Sequence, residues 1–288
     1  MKTPPSFLAP WKSGLLALLG LSFAAVPAHA AGPKALQITT SVANTSGSIM
    51  TIDHPALNGK PKTNVIINHR YISAFNNHQL GLQYNTTVGR WQVRNEDGAN
   101  IPTGEGINIL LAPGTKRLAA NPFTTYNYVT YFPTVAPNKP NTLLLATHVI
   151  NVGGYYTGVM LKDPYSVFYD NNQWSIYTDN IASMKAVAFN IADVTKLKAA
   201  GQPIAFQHIA NVGNISGDLT FFDNPLTNNK PNAVVFARHI WAAASGVYMT
   251  KEVGVYYTGT KWSVYTEDGT AMPNGEAFII AVIPQASP

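Results

Sequence analysis

The chain has no cysteine. A disulfide scaffold and any thiolate-based metal or redox site are therefore excluded. Charge is the second scarcity. Nineteen Lys and Arg and 14 Asp and Glu make up 11% of 288 residues, where an ordinary soluble domain carries roughly 25%. The net charge is only +5 and no basic stripe is present, which argues against a nucleic-acid partner. Long apolar segments are also missing. The single apolar run, Gly14 to Val26, is too short to span a bilayer, so no transmembrane anchor is expected. Gly-x-Ser-x-Gly, His-Glu-x-x-His, P-loop and EF-hand patterns are all absent. What the chain does have is 46% hydrophobic and 11% aromatic residues, enough for a packed core. Its polarity comes from 26 Asn and 26 Thr, so the surface is hydrogen-bonding rather than ionic.

Lys2 and Lys12 flank that apolar run, which ends at Pro27 and Ala28-His29-Ala30. A basic flank, a short apolar stretch and a small-residue site mark residues 1–30 as a secretory signal peptide. Cleavage after Ala30 lowers the net charge to +3, and the basic pI then carries no information about a partner.

The rest of the chain repeats. Asn44-Thr45-Ser46-Gly47 returns as Asn214-Ile215-Ser216-Gly217. At the same offset of 170, Asp53, Pro55, Asn58 and His69 return as Asp223, Pro225, Asn228 and His239. At offset 171, Trp91, Glu96-Asp97-Gly98 and Glu105 return as Trp262, Glu267-Asp268-Gly269 and Glu276. A middle copy keeps Lys139-Pro140, His148, Tyr169 and Trp174 but lacks the Asp-x-Pro, Glu-Asp-Gly and Pro-x-Gly-Glu elements. Three units are expected, 35–114, 115–192 (degenerate) and 203–284. Residues 193–202 would form a linker with one short helical turn.

Within each unit the pattern is β. Val253–Tyr257 and Trp262–Tyr265 read as a hairpin, as does Tyr165–Tyr177 turning at Asp170-Asn171-Asn172. Val65–Ile67, Leu143–Leu145 and Val234–Phe236 read as strands buried on both faces. Ile107–Leu111 and Phe278–Ile280 close the outer units. The expected fold is all-β, three tandem small sandwich- or barrel-like modules.

These residues resemble an uncharacterised family of bacterial secreted β repeats, a domain of unknown function often found in tandem. The likeness is closest in the third unit, from Asn214-Ile215-Ser216-Gly217 through Phe222-Asp223-Asn224-Pro225 and Asn228-Asn229-Lys230-Pro231 to Trp262-Ser263-Val264-Tyr265. Asp53-His54-Pro55 carries it in the first unit, and Lys139-Pro140-Asn141 with Trp174 in the second. The resemblance implies export, tandem β modules and an envelope or matrix role; it implies no catalytic residues.

Four sets of residues are candidates for chemistry. His69, His148 and His239 each end a buried strand. They are ligand contacts, a converged His₃ metal site, or histidines that fix a strand end through a loop. Trp91, Trp174 and Trp262 are sugar-stacking platforms or core, and their alternation with Val93, Ile176 and Val264 favours core. Tyr177 and Tyr265, on the opposite face, are then the better surface contacts. Asn44, Asn58, Asn214 and Asn228 would gather with Asp53 in binding loops at one end of each module. Finally, eight of the 14 acids occupy matched positions: Asp53, Glu96, Asp97 and Glu105 in the first unit, and Asp223, Glu267, Asp268 and Glu276 in the third. They are calcium ligands if they converge, and turn residues if they do not.

The function expected is that of a secreted, non-enzymatic binding, adhesive or matrix protein, with an extracellular glycan or cell-surface component as partner. A secreted hydrolase and a structural fibre or envelope subunit are the competing classes. A hydrolase would need an acid pair or a His–carboxylate pair, such as Asp53 with His54, in an open cleft.

Overall fold

A computed structural model describes residues 32–152, 157–199, 201–241 and 246–284. The signal peptide of the sequence reading lies outside them. Among the described residues every regular element is a β-strand, and no helix is long and apolar enough to cross a membrane.

The first unit contains β1 (Lys34–Thr39), β2 (Thr45–Ser46), β3 (Ile49–Thr51), β4 (Ile66–Arg70), β5 (Leu80–Asn85), β6 (Arg90–Asn95) and β7 (Gly106–Leu111). The second repeats this order as β8 (Lys116–Ala119), β9 (Thr125–Tyr126), β10 (Val129–Phe132), β11 (Leu144–Val149), β12 (Tyr165–Asp170), β13 (Gln173–Thr178) and β14 (Ala188–Asp193). A short hairpin, β15 (Lys198–Ala199) with β16 (Gln202–Pro203), follows. It takes the place of the expected helical turn: the chain reverses at Gly201, whose φ of 79° is in the left-handed region glycine tolerates. The third unit contains β17 (Ala205–Ile209), β18 (Ile215–Ser216), β19 (Leu219–Phe221), β20 (Val234–His239), β21 (Val253–Tyr257), β22 (Trp262–Thr266) and β23 (Ala277–Ile283).

Each unit is a sandwich. In the first, the three strands β1, β7 and β4 face the four strands β2, β3, β6 and β5. Between them lie Met50, Leu82, Trp91, Val93, Ile67, Ile107 and Ile109. The alternation read from the sequence places these side chains, because successive residues of a strand point to opposite faces.

The units are joined by shared sheets. β5 of the first unit pairs in parallel with β11 of the second, at Leu82 and Val149. β12 of the second meets the third at Val167 and Ile240. β21 of the third pairs in parallel with β4 of the first, at Gly254–His69 and Val255–Arg70. At each junction one backbone bond recurs: Ile150 N–H to Leu82 O (2.7 Å), Trp241 N–H to Val167 O (3.1 Å) and Tyr71 N–H to Val255 O (3.0 Å). The three units thus close head to tail into a ring. One apolar cluster draws on all three, including Ile66 and Leu110, Leu145 and Phe189, and Val234 and Phe236. Two buried asparagines tie units together as well. Asn108 Nδ2 donates to Val235 O, and Asn190 Nδ2 donates to Val65 O, both at 2.9 Å.

Candidate functional site

The repeated loop residues bind the loops themselves. Asn44 accepts from Ser41 N–H (2.8 Å) and donates to Thr39 O (3.0 Å). Asn214 does the same with Asn211 and Ile209. Asn58 closes the Asp53 loop by donating to Asp53 Oδ1 (2.8 Å), and Asn228 closes the Asp223 loop (2.7 Å). Asp53 also faces Arg90 at 3.3 Å, and Asp223 faces Lys261 at 3.2 Å. Asp97 accepts from Ala99 N–H and meets His78 at 2.6 Å; Asp268 accepts from Thr270 N–H and meets Lys251 at 2.6 Å. These oxygens are spent on turns. Among the described residues no three His, Asp or Glu side chains are grouped as a metal ion would need.

The tryptophans are core, each with the same polar tie. Trp91, Trp174 and Trp262 are buried. Their indole N–H groups donate to the carbonyls of Lys60, Lys139 and Lys230, at 3.0, 3.2 and 2.9 Å. The repeated Lys-Pro element is thus the acceptor that lets a tryptophan be buried without an orphaned donor.

The three histidines sit at the three junctions. His148 Nδ1 meets both oxygens of Glu96, from the preceding unit, at 2.8 and 2.9 Å. His239 Nδ1 lies 3.0 Å from Asp179 of the preceding unit. His69 Nδ1 lies 3.7 Å from Glu267 of the third unit, which closes the cycle. His69 and His239 each hold a second carboxylate from their own unit, Glu105 at 2.7 Å and Glu276 at 2.6 Å. His148 has none and packs beside Phe189, ring centroids 5.5 Å apart. Asn76 bridges the third-to-first junction, its N–H on Glu267 (2.8 Å) and its side-chain amide on Glu105 (2.7 Å).

The sequence holds a signature of these junctions at the residue beneath each acid. Gly81 and Gly254 pair across β5–β6 and β21–β22 with Arg94 and Tyr265. A Cβ at Gly81 would overlap the Glu96 carboxyl, and one at Gly254 would overlap Glu267 and the Tyr265 ring. In the second unit the equivalent residue is Ser166, and the acid is the shorter Asp179. The Ser166 hydroxyl donates to Asp179 and lies 2.6 Å from His239 Nδ1. One side chain grows by a hydroxymethyl group while the other loses a methylene.

Burial and charge compete at these histidines. Burial pulls the His69 imidazolium down, but Glu267, Glu105 and Glu252 outweigh it and hold its pKa at about 9. Burial likewise opposes His239, which Asp179 and Glu276 also raise to about 9. Burial pushes Glu252 up to about 7 and raises Glu267. Both histidines are therefore imidazolium at neutral pH, each in a salt bridge. The pairs resemble catalytic dyads in composition, yet His148 and Glu96 have side-chain exposures of 0%. The His69 and His239 side chains are 4% exposed, and all three pairs link neighbouring units.

Tyr177 and Tyr265 correct the expectation of a surface location. They are 3% and 2% exposed, because each lies over a junction. Tyr265 donates to Glu267 at 2.5 Å, and Tyr177 Oη is 3.5 Å from His239 Nδ1. Burial and the adjacent carboxylates push both phenols up.

Beside Tyr177 the surface opens. A cleft of about 250 Å³ is lined by Tyr128, Tyr131, Phe168, Tyr177, Trp241 and Tyr248, with Asp170 as the one charged group among the described residues of its lining. Trp241 and Tyr248 have ring centroids 4.4 Å apart, and Tyr177 meets Trp241 edge-on at 6.2 Å. Burial and Asp170 hold the Tyr131 phenol above its usual range, so it stays a neutral donor. Sequence reasoning missed this site. The cluster Tyr126, Tyr128, Tyr131 in the second unit was a visible signal, but Trp241 and Tyr248 come from the third unit across the junction. It also missed Asp179, which stands five residues after its tryptophan as Glu96 and Glu267 do.

No match was found among curated proteins or solved structures. A family described as a domain of unknown function, DUF7452, matches residues 20–111, 81–193 and 188–282. Three matches in tandem cover most of the chain, and the protein belongs to this family of β repeats.

Proposed function

We propose that this protein is exported and acts as a non-enzymatic binding protein, with the aromatic cleft between the second and third units as its ligand site. The observation that carries this is the lining of that cleft: six aromatic side chains and one carboxylate around a concave surface. Such a lining suits stacking and hydrogen bonding. The buried carboxylates Glu96, Glu105, Asp179, Glu267 and Glu276 lie in the junctions, where they support assembly of the ring. A hydrolytic reading requires a second acid or a histidine opposite Asp170, and the described lining offers neither. Export rests on the basic flank, apolar run and Ala-His-Ala site of residues 1–30.

A pull-down of the processed protein on extracellular polysaccharides and cell-surface fractions tests the reading. Retention that is lost in Trp241→Ala is expected. Retention unchanged by that substitution would place the ligand elsewhere.

A further inference from the structure

We infer that the outer face of the second unit is an extended groove with two subsites for an uncharged oligosaccharide chain. The inference rests on the aromatic cleft being the ligand site, and it names the ligand class and length.

The cleft does not end at Tyr128 and Tyr131. Both residues, with Val129, also line a second, shallower depression of about 520 Å³ that continues to Phe123 and Tyr126. The two form one surface on the outside of the four-stranded sheet. Cross-strand register sets its length: Tyr126 pairs with Val129, and Val129 with Tyr177. Two steps at about 4.8 Å each give a row of roughly 10 Å. That is longer than one pyranose ring and suits a chain lying across the strands.

The first unit serves as an internal control, since it builds the same sheet without these aromatics. The third keeps Phe221 and Tyr256 at the Tyr131 and Phe168 positions but has no counterpart of Phe123, Tyr126 or Tyr128. Where the second unit has Tyr126, the others have Ser46 and Ser216; for Phe168 the first unit has Gln83, and for Tyr131 it has Thr51. The first unit covers its face with a Gln83–Gln92 hydrogen bond at 2.9 Å. The scaffold therefore has no need of aromatic side chains at the Phe123, Tyr126 and Tyr128 positions, which both outer units fill with other residues. Phe123 is 86% and Tyr126 62% exposed, a hydrophobic cost that folding does not recover. A bound ligand that stacks on them recovers it.

Charge narrows the ligand class. Among the described residues the first depression contains Asp170, and neither lining contains Lys, Arg or His. A phosphate, a sulfated glycan or a nucleic acid requires cations alongside its stacking platforms. An uncharged sugar requires aromatic faces and short hydrogen-bonding groups at the rim, which Thr124, Asp170, Asn171 and Gln173 supply.

The test is calorimetric titration of the processed full chain with glucose, cellobiose, cellohexaose, chitohexaose, laminarihexaose, mannohexaose and a proline decamer. At least one hexasaccharide is expected to bind about tenfold or more tighter than its disaccharide. Phe123→Ala/Tyr126→Ala should abolish that gain and leave disaccharide binding unchanged, while Trp241→Ala weakens both. Phe123 and Tyr126 are exposed, so their variant keeps the core. Affinity independent of chain length, or unaffected by the double substitution, overturns the two-subsite groove and leaves the cleft as the ligand site. Binding of the proline decamer and of no sugar overturns the glycan assignment alone. No binding of any probe overturns both.

Discussion

At Gly81, Ser166 and Gly254 the chain adjusts one small residue to the acid above it, and here the repeat is most informative at the residue scale. The pairs Gly81–Glu96, Ser166–Asp179 and Gly254–Glu267 conserve volume at a buried histidine. Gly81→Ser alone should lower stability by about 1–3 kcal/mol, since an overpacked site must shift, here by moving Glu96 off His148. Gly81→Ser/Glu96→Asp copies the second unit and should recover at least half of that loss in urea denaturation. Costs that simply add would sink the volume argument. The compensation is written in the sequence, but its meaning is not: nothing local shows that Glu96 reaches His148, 52 residues away. The loop asparagines and tryptophans differ in this respect. Their partners lie in their own unit, so their structural roles follow from turn chemistry and alternation.

Element boundaries were legible where local signals agree. The hairpins at Asp170-Asn171-Asn172 and Thr258–Lys261 form as read, because an apolar period of two flanks a turn signal. Asn171 and Asn172 adopt φ of 48° and 63°, the two left-handed positions of a tight type I′ turn. Asn172→Gly should therefore be nearly neutral, whereas Asn172→Val should cost about 1–2 kcal/mol in thermal or urea unfolding. Equal effects would mean that the turn does not set the register. Residues 193–202 were not legible. A short polar segment with little period carries no strand signal, and it becomes a hairpin beside Gly201.

The ring has consequences at the scale of the whole molecule. The apolar cluster shared by all three units includes Val234, Phe236, Ile279 and Ile283 of the third. Residues 203–284 alone would expose these side chains and leave β21 without β4. The isolated unit is expected to show no cooperative unfolding or to self-associate; a monomer that melts cooperatively would contradict ring closure as the source of stability. The junctions also set a pH dependence. His69 and His239 are held at about 9 in the folded state, above the ordinary 6.5. Their contribution is complete below pH 6.5 and is lost as pH rises through 9. Glu252, raised to about 7, acts in the same direction between about pH 4.5 and 7. His208, lowered to about 4 by burial, acts oppositely, but only below pH 6.5. The unfolding free energy from urea titration should therefore fall from pH 6.5 to 9, by a few kcal/mol. A flat profile across that window would show that the pairs do not stabilise the fold.

The sequence by itself determined the all-β class, the three tandem units, the main hairpins and the burial of the three tryptophans. All of these depend on residues near one another in the chain, through period, turn chemistry and repetition. Only the tertiary structure decided that the units are not separate modules. It also decided that the recurrent histidines and four of the matched acids meet across or beside the junctions, and that Tyr177 and Tyr265 are buried there. The physical reason is that each of those outcomes pairs groups from different units. A carboxylate has the same local sequence whether it caps a turn, as Asp97 does, or neutralises a buried imidazolium, as Glu267 does. The aromatic cleft follows the same rule, since its second wall, Trp241 and Tyr248, arrives only when the ring closes.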